Sequence, residues 1–148
     1  PNAAVYWLAR MIEGGEDVKF IARRMIISAS EDIGNANPTA LVLANTTFQS
    51  VTTIGYPEAR IILSQCATYL ASSPKSNASY MAINQAQQKV RQTGDLSVPM
   101  AIRNAPTKLM KDLGYGDGGT TFYKPGNNPR ENSMKDFLKK RWKNKYDF

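Results

Sequence analysis

The chain predicts an all-α fold, a compact bundle of about six to eight helices. Three observations carry this prediction. Apolar residues recur three and four positions apart along most of the chain. Proline, asparagine and serine stand where these stripes begin, and glycine where they end. No segment alternates strictly between apolar and polar residues, and Thr120-Thr121-Phe122-Tyr123 is the only weak strand candidate.

The first helix is expected from Pro1 to about Glu13, with Ala4, Val5, Leu8, Met11 and Ile12 as its apolar stripe and Gly14-Gly15 as its stop. The second should start near Asp17 and end before Gly34, burying Val18, Ile21, Ala22, Met25 and Ala29. Asn37 reads as the N-cap of a third helix that opens on Pro38 and ends at Ile54. A fourth begins at Pro57 and reaches about Ser72, and a fifth runs from a Ser76 cap to Thr93. A short extended stretch from Leu96 to Pro99 leads to a small helix carrying Leu109, Met110 and Leu113. Residues 115–128 hold several glycines and read as loop. The last helix is expected from Pro129 to Tyr146, with Met134, Phe137, Leu138, Trp142 and Tyr146 on one face.

The chain has 148 residues, 42% of them hydrophobic, enough for one core. It contains no histidine and one cysteine. That removes histidine-based nucleophilic catalysis, histidine metal sites and thiolate metal clusters. No catalytic, cofactor-binding or metal-ligating residue is therefore nominated. Cys66 sits among Leu63, Ala67 and Leu70 and reads as a small buried hydrophobe in a reducing compartment. No apolar run is long enough to span a membrane, and the chain opens on Pro1 in helical sequence without a leader, as though cut from something longer.

Charge is distributed unevenly. The net charge is +7. Residues 130–148 hold 7 basic and 3 acidic residues, so +4 of it lies in this short segment. Conversely, no charged residue occurs from Gly34 to Pro57, nor from Ile61 to Pro74. An ordinary soluble surface is about 25–35% charged. Two consecutive helices without charge are either a hairpin enclosed by the others or a subunit interface, whose core is depleted of charge. Leu41, Asn45, Phe48, Gln49, Thr52, Ile62 and Tyr69 are the candidate interface residues.

Glu31 and Asp32 fall where a helix dipole opposes carboxylates. Nothing catalytic accompanies the pair, and an ion-pair network with Arg60 and Arg103 is the expectation. The run from Arg103 to Lys108 is either a phosphate-reading loop or a helix entry capped by Asn104 or Thr107. On the last helix, Lys135, Lys139, Lys140, Arg141, Lys143 and Lys145 are candidate nucleic-acid contacts, or the solvated face of an amphipathic helix. A membrane-surface role suits it poorly, because Asp136 breaks the basic face.

Several runs stand in order: Tyr6-Trp7-Leu8-Ala9-Arg10-Met11, Ile21-Ala22-Arg23-Arg24, Ser30-Glu31-Asp32-Ile33-Gly34, Pro57-Glu58-Ala59-Arg60, Pro74-Lys75-Ser76-Asn77 and Arg103-Asn104-Ala105-Pro106-Thr107-Lys108-Leu109-Met110. Together they closely resemble the C-terminal part of the replication-associated recombination protein A (RarA/MgsA) family, which is similar to the Werner helicase-interacting ATPase. The resemblance covers about Pro1 to Gly116 and resumes at Phe122-Tyr123. It departs after Gly116, where the family's aromatic-rich stretch is missing.

The resemblance implies a clamp-loader-collar-like fold. Residues 1–33 would end the helical lid of a AAA+ ATPase, and residues 34–148 would form its oligomerisation domain, with a glycine-rich loop (114–128) and a basic terminal helix (129–146). It implies a homotetramer, with DNA and single-strand binding protein or other replication proteins as further partners. The setting would be the bacterial cytoplasm, at the nucleoid, at stalled replication forks. The fragment itself would not be an enzyme. ATP and Mg would belong to an upstream ATPase domain, in keeping with the lack of a phosphate-binding loop motif around Gly114 to Gly119.

Overall fold

A computed structural model describes residues 1–94, 97–98, 107–109 and 120–142. These residues are helical or irregular, with no strand among them, and Thr120–Tyr123 is irregular. The helices are α1 (Asn2–Glu13), α2 (Val18–Ser28), α3 (Thr39–Ile54), α4 (Ala59–Ala71), α5 (Ala78–Thr93) and α6 (Pro129–Trp142). The expected small helix before Gly114 and the extended stretch before it fall largely outside the described residues.

Helices α1 to α4 share one core. Leu8, Ile21, Ala22, Val51, Ala59, Leu63 and Ala67 form one cluster, drawn from all four. Ala29, Ile33, Ala40, Ala44, Cys66 and Leu70 form a second beside it. The stripe Ala40, Ala44, Thr47 and Val51 runs at helical spacing along α3. Its small members let α2 and α4 approach the α3 backbone closely, which suits ridge-into-groove packing. Leu63, fully buried, is the largest leucine contribution. Its truncation to alanine should cost about 2–5 kcal/mol.

Two expectations are corrected. The second helix does not continue to Ile33. After Ser28 the chain widens into a π-helical turn, Ala29–Ile33, and then tightens into a 3₁₀ turn, Gly34–Ala36. The reason is a strap: the Ser76 amide donates to the Asp32 carbonyl at 2.8 Å. Gly34 has φ of +50° there, and a Cβ on it would stand 2.9 Å from the Ser76 carbonyl oxygen, so only glycine fits. Asn37, expected as an N-cap, uses its side chain elsewhere. Its amide donates to the Tyr69 hydroxyl at 3.0 Å and to Ser73 Oγ at 3.1 Å, fastening the start of α3 to the end of α4.

Helix α5 buries only Ala78 of its sixteen residues. It is held at its N-terminus, where Ser76 Oγ accepts from the Ala78 amide at 3.3 Å. Helix α6 follows an irregular segment, 120–128, and docks through its first turn.

Candidate functional site

Two surfaces and one buried hub are built on this frame. The first surface is the outer side of α3. Nine of its sixteen residues are exposed and none is charged. Among the candidate interface residues, Leu41, Asn45, Gln49 and Thr52 are exposed on it, and Val42 beside them is 65% exposed. Its hydroxyls are partly spent within the helix: Thr52 Oγ1 donates to the Phe48 carbonyl at 2.7 Å, and Thr53 Oγ1 to that of Gln49 at 2.9 Å. Phe48 and Ile62 are half-buried and pack on the first core cluster, and Tyr69 is half-buried against Asn37. The outer side of α3 is therefore a neutral, partly apolar surface continuous along one helix.

The second surface is α6. Arg130, Lys139, Lys140 and Arg141 are exposed, and Lys135 is half-buried. Lys143 and Lys145 lie outside the described residues. Phe137, expected in the apolar stripe, is 61% exposed, so the inward side of α6 is carried instead by Glu131, Met134 and Leu138.

The hub is Glu131, fully buried. Asn128 Nδ2 donates to Oε2 at 2.6 Å and the Tyr123 hydroxyl to Oε1 at 2.9 Å. Ser76 and the Gly126 amide also bond to it. Burial alone would raise the Glu131 pKa, but these four donors outweigh it and hold the carboxyl below its ordinary value. Asn35 Nδ2 donates to the Tyr123 hydroxyl at 3.0 Å and to Ser79 Oγ at 3.3 Å, so the hub reaches from α6 to the 3₁₀ turn and α5. A Cβ on Gly126 would stand 2.8 Å from Glu131 Oε2, so a side chain there would have to displace the buried carboxylate.

Sequence reasoning missed this hub. A signal for its first member was present. Asn128-Pro129-Arg130-Glu131 has a capping residue, proline at the first helical position and glutamate at the third. The Glu131 amide does donate to Asn128 Oδ1, at 3.0 Å.

Asp32 accepts from Ser28 Oγ at 2.6 Å. Glu31 lines a cleft with Ile26, Ile27, Tyr80 and Ile83. Arg60 lines another cleft, with Ile12 and Glu13. Arg103, and most of the run to Lys108, lie outside the described residues. Cys66 is fully buried beside Thr47. Burial pushes its thiol pKa up, and a hydrogen bond from Thr47 partly offsets that. Among the described residues no group of acidic, cysteine or histidine side chains is placed to hold a metal ion.

Residues 1–145 match the model of the family described as MgsA AAA+ ATPase C terminal. The chain belongs to this family. Among curated relatives, replication-associated recombination protein A of Coxiella burnetii is 48% identical over 116 residues, 78% of this chain and 26% of the relative. The Escherichia coli K12 protein of the same name is 47% identical over the same shares. ATPase WRNIP1 of Dictyostelium discoideum is 44% identical over 78% of this chain and 13% of its own length. The chain thus spans about a quarter or less of these relatives. The matched span takes in the α1–α4 core and the strap between Asp32 and Ser76.

Proposed function

We propose that this chain is the non-catalytic assembly collar of a AAA+ ATPase that acts in replication-associated recombination and the repair of stalled forks. In this reading it gathers several copies, as a homotetramer, so that upstream ATPase domains carrying ATP and Mg work together. Residues 1–33 would be the end of the lid. They share one core with α3 and α4, so nucleotide-dependent movement of the lid would be transmitted to the collar as a rigid body. The setting would be the bacterial cytoplasm, at the nucleoid.

The observation that supports assembly is the neutral outer side of α3. Charge is absent where solvent would tolerate it, and Val42 and Leu41 are exposed. An interface core needs that composition, because an unpaired buried charge is costly. Sedimentation velocity at tens of micromolar should show closed oligomers. Val42→Asp with Gln49→Glu should dissociate them, since an uncompensated charge in a desolvated interface costs about 3–5 kcal/mol. Oligomers that persist in the double variant would reject α3 as the surface.

A second reading is supported by α6. Its exposed Arg130, Lys139, Lys140 and Arg141 fit phosphate contact, with DNA as the partner. Binding should weaken steeply with salt, and Lys139→Glu with Lys140→Glu should weaken it further. Binding that is indifferent to salt would remove this reading. Single-strand binding protein or other replication proteins would be further partners of the assembled enzyme.

A further inference from the structure

Beside the Glu131 hub lies a cavity of about 340 Å³. Three stretches that the hub holds together wall it: the strap ahead of α5, the first two turns of α5, and the segment leading to α6. Lys75 and Lys124 are the charged members of its lining, and both are exposed. Among the described residues neither is paired with a carboxylate. Phe122, half-buried, and Met81, 42% exposed, supply its apolar part. Asn77 and Gln85 supply two side-chain amides. An asparagine at a helix cap ordinarily accepts from the first turn. Here Ser76 Oγ accepts from the Ala78 amide at 3.3 Å, and the Asn77 side chain caps nothing. Both polar atoms of that amide are therefore left for another partner.

Charge, shape and size select the ligand. Two lysines suit a phosphomonoester, which carries about −1.5 to −2 at neutral pH. Glu131 does not oppose it from the cavity wall, because the carboxylate is fully buried and its charge is met by four donors. A phenylalanine beside a methionine offers a flat ring and a polarizable contact, the surface on which a base stacks. Each side-chain amide carries both donors and an acceptor, which is what the edge of a base requires. An aliphatic carboxylate would engage the lysines but leave both amides unanswered. Ligand clefts span roughly 300–1,000 Å³, so this cavity takes one nucleotide and excludes a duplex.

We infer that this cavity binds a single nucleotide bearing a phosphomonoester, its phosphate held by Lys75 and Lys124 and its base set against Phe122 with its edge on Asn77 and Gln85. A free mononucleotide and the phosphorylated end of a strand present the same chemistry. The site depends neither on assembly through α3 nor on phosphate contact along α6. The test titrates the 148-residue chain, labelled with nitrogen-15, with thymidine monophosphate and follows amide shifts. Those of the strap, the start of α5 and residues 122–126 should move, and those of α1 should not. Thymidine alone and inorganic phosphate alone should each bind at least about tenfold more weakly, as loss of a hydrogen bond to a charged group does. Lys75→Gln and Lys124→Gln should each weaken the nucleotide by a similar factor, while Lys89→Gln, exposed further along α5, leaves it unchanged. Hexathymidylate with a 5′-phosphate separates the two sources. Tighter binding than the mononucleotide at the same amides names the strand end, and weaker binding names the free nucleotide.

Four results would each overturn the inference. Equal binding of thymidine and its monophosphate would show that the phosphate is not recognised. Equal binding of inorganic phosphate would leave an adventitious ion only. Shifts confined to α6, or undiminished binding by both lysine variants, would place the nucleotide elsewhere. An unmoved spectrum at about 10 mM nucleotide, weaker than any specific site, would leave the cavity without this ligand.

Discussion

The Tyr123 hydroxyl donates to Glu131 Oε1 at 2.9 Å while accepting from Asn35 Nδ2 at 3.0 Å. One phenol thus links the first turn of α6 to the 3₁₀ turn that follows α2. Burial raises the pKa of this phenol; the bond from Asn35 partly opposes the rise, and the Glu131 carboxylate adds to it. The hydroxyl therefore keeps its proton, and with it its role as donor, throughout the physiological range. Tyr123→Phe should loosen α6 by about 1.5–3 kcal/mol, the usual worth of a hydrogen bond to a charged group. Hydrogen exchange should report this as faster exchange in α6 with α4 unchanged. Equal acceleration in both helices would mean that α6 is not an independent unit.

The same carboxylate makes the docking of α6 acid-sensitive. An unfolded glutamate titrates near pH 4.3, and Glu131 is held below its ordinary value when folded. A lowered folded-state pKa stabilises the fold fully above the unfolded value. That contribution fades as pH falls through the folded value. Protection of α6 should therefore be flat from neutral pH to about 5 and decline below about 4. Glu131→Gln should be less stable at neutral pH and should flatten the decline. An acid slope that the variant leaves unchanged would assign it to other carboxylates.

Gly126 offers a test that does not involve charge. Its missing Cβ would meet Glu131 Oε2 at 2.8 Å and Ser76 Oγ at 3.0 Å, both fixed by their own hydrogen bonds. Gly126→Ala should therefore displace the hub and destabilise α6 docking by about 1–3 kcal/mol, as overpacking does. Gly14→Ala meets its nearest non-adjacent atom at 3.2 Å, without a positive φ to maintain, and should be milder. Thermal melts of the two variants compare them directly. A Gly126→Ala melt as mild as that of Gly14→Ala would mean that the loop yields.

The helices were legible because their apolar stripes and glycine stops are local signals. Leu8, Ile21, Ala22 and Leu63 are buried where helical spacing places them. The break after Ser28 was not legible, since it depends on Ser76 bonding to a carbonyl more than forty positions away. Asn37 misled for the same reason: a local cap competes with Tyr69 and Ser73, and the tertiary partners win. Phe137 fits the period of the last helix yet lies exposed, because Glu131 takes the inward position at the start of α6. A glutamate at the centre of a buried cluster inverts the polarity that a hydrophobic pattern assumes. The absence of charge from Gly34 to Pro57 and from Ile61 to Pro74 is legible in the sequence, but composition alone does not tell an inward face from an outward one. Burial divides it: Ala40, Ala44, Thr47 and Val51 point inward, and Val42, Asn45 and Gln49 outward.

Cys66 provides the last prediction, because its environment decides its chemistry. The thiolate is the reactive form, and burial raises the pKa of this thiol while also shutting out reagents. Thr47, itself buried, offsets the shift only in part. Modification by a thiol reagent at pH 8 should therefore require opening of the α3–α4 contact. With a typical stability of about 5–15 kcal/mol, the folded chain should react at least on the order of a thousandfold more slowly than the unfolded chain. Leu63→Ala, one turn away on α4, destabilises the same core and should speed the reaction in proportion to the stability lost. Should Cys66 react at the unfolded rate in the native protein, the packing of α3 on α4 would have to be looser than these contacts imply. A fast reaction in Leu63→Ala alone would instead confirm that the core is closed and opens only when it is weakened.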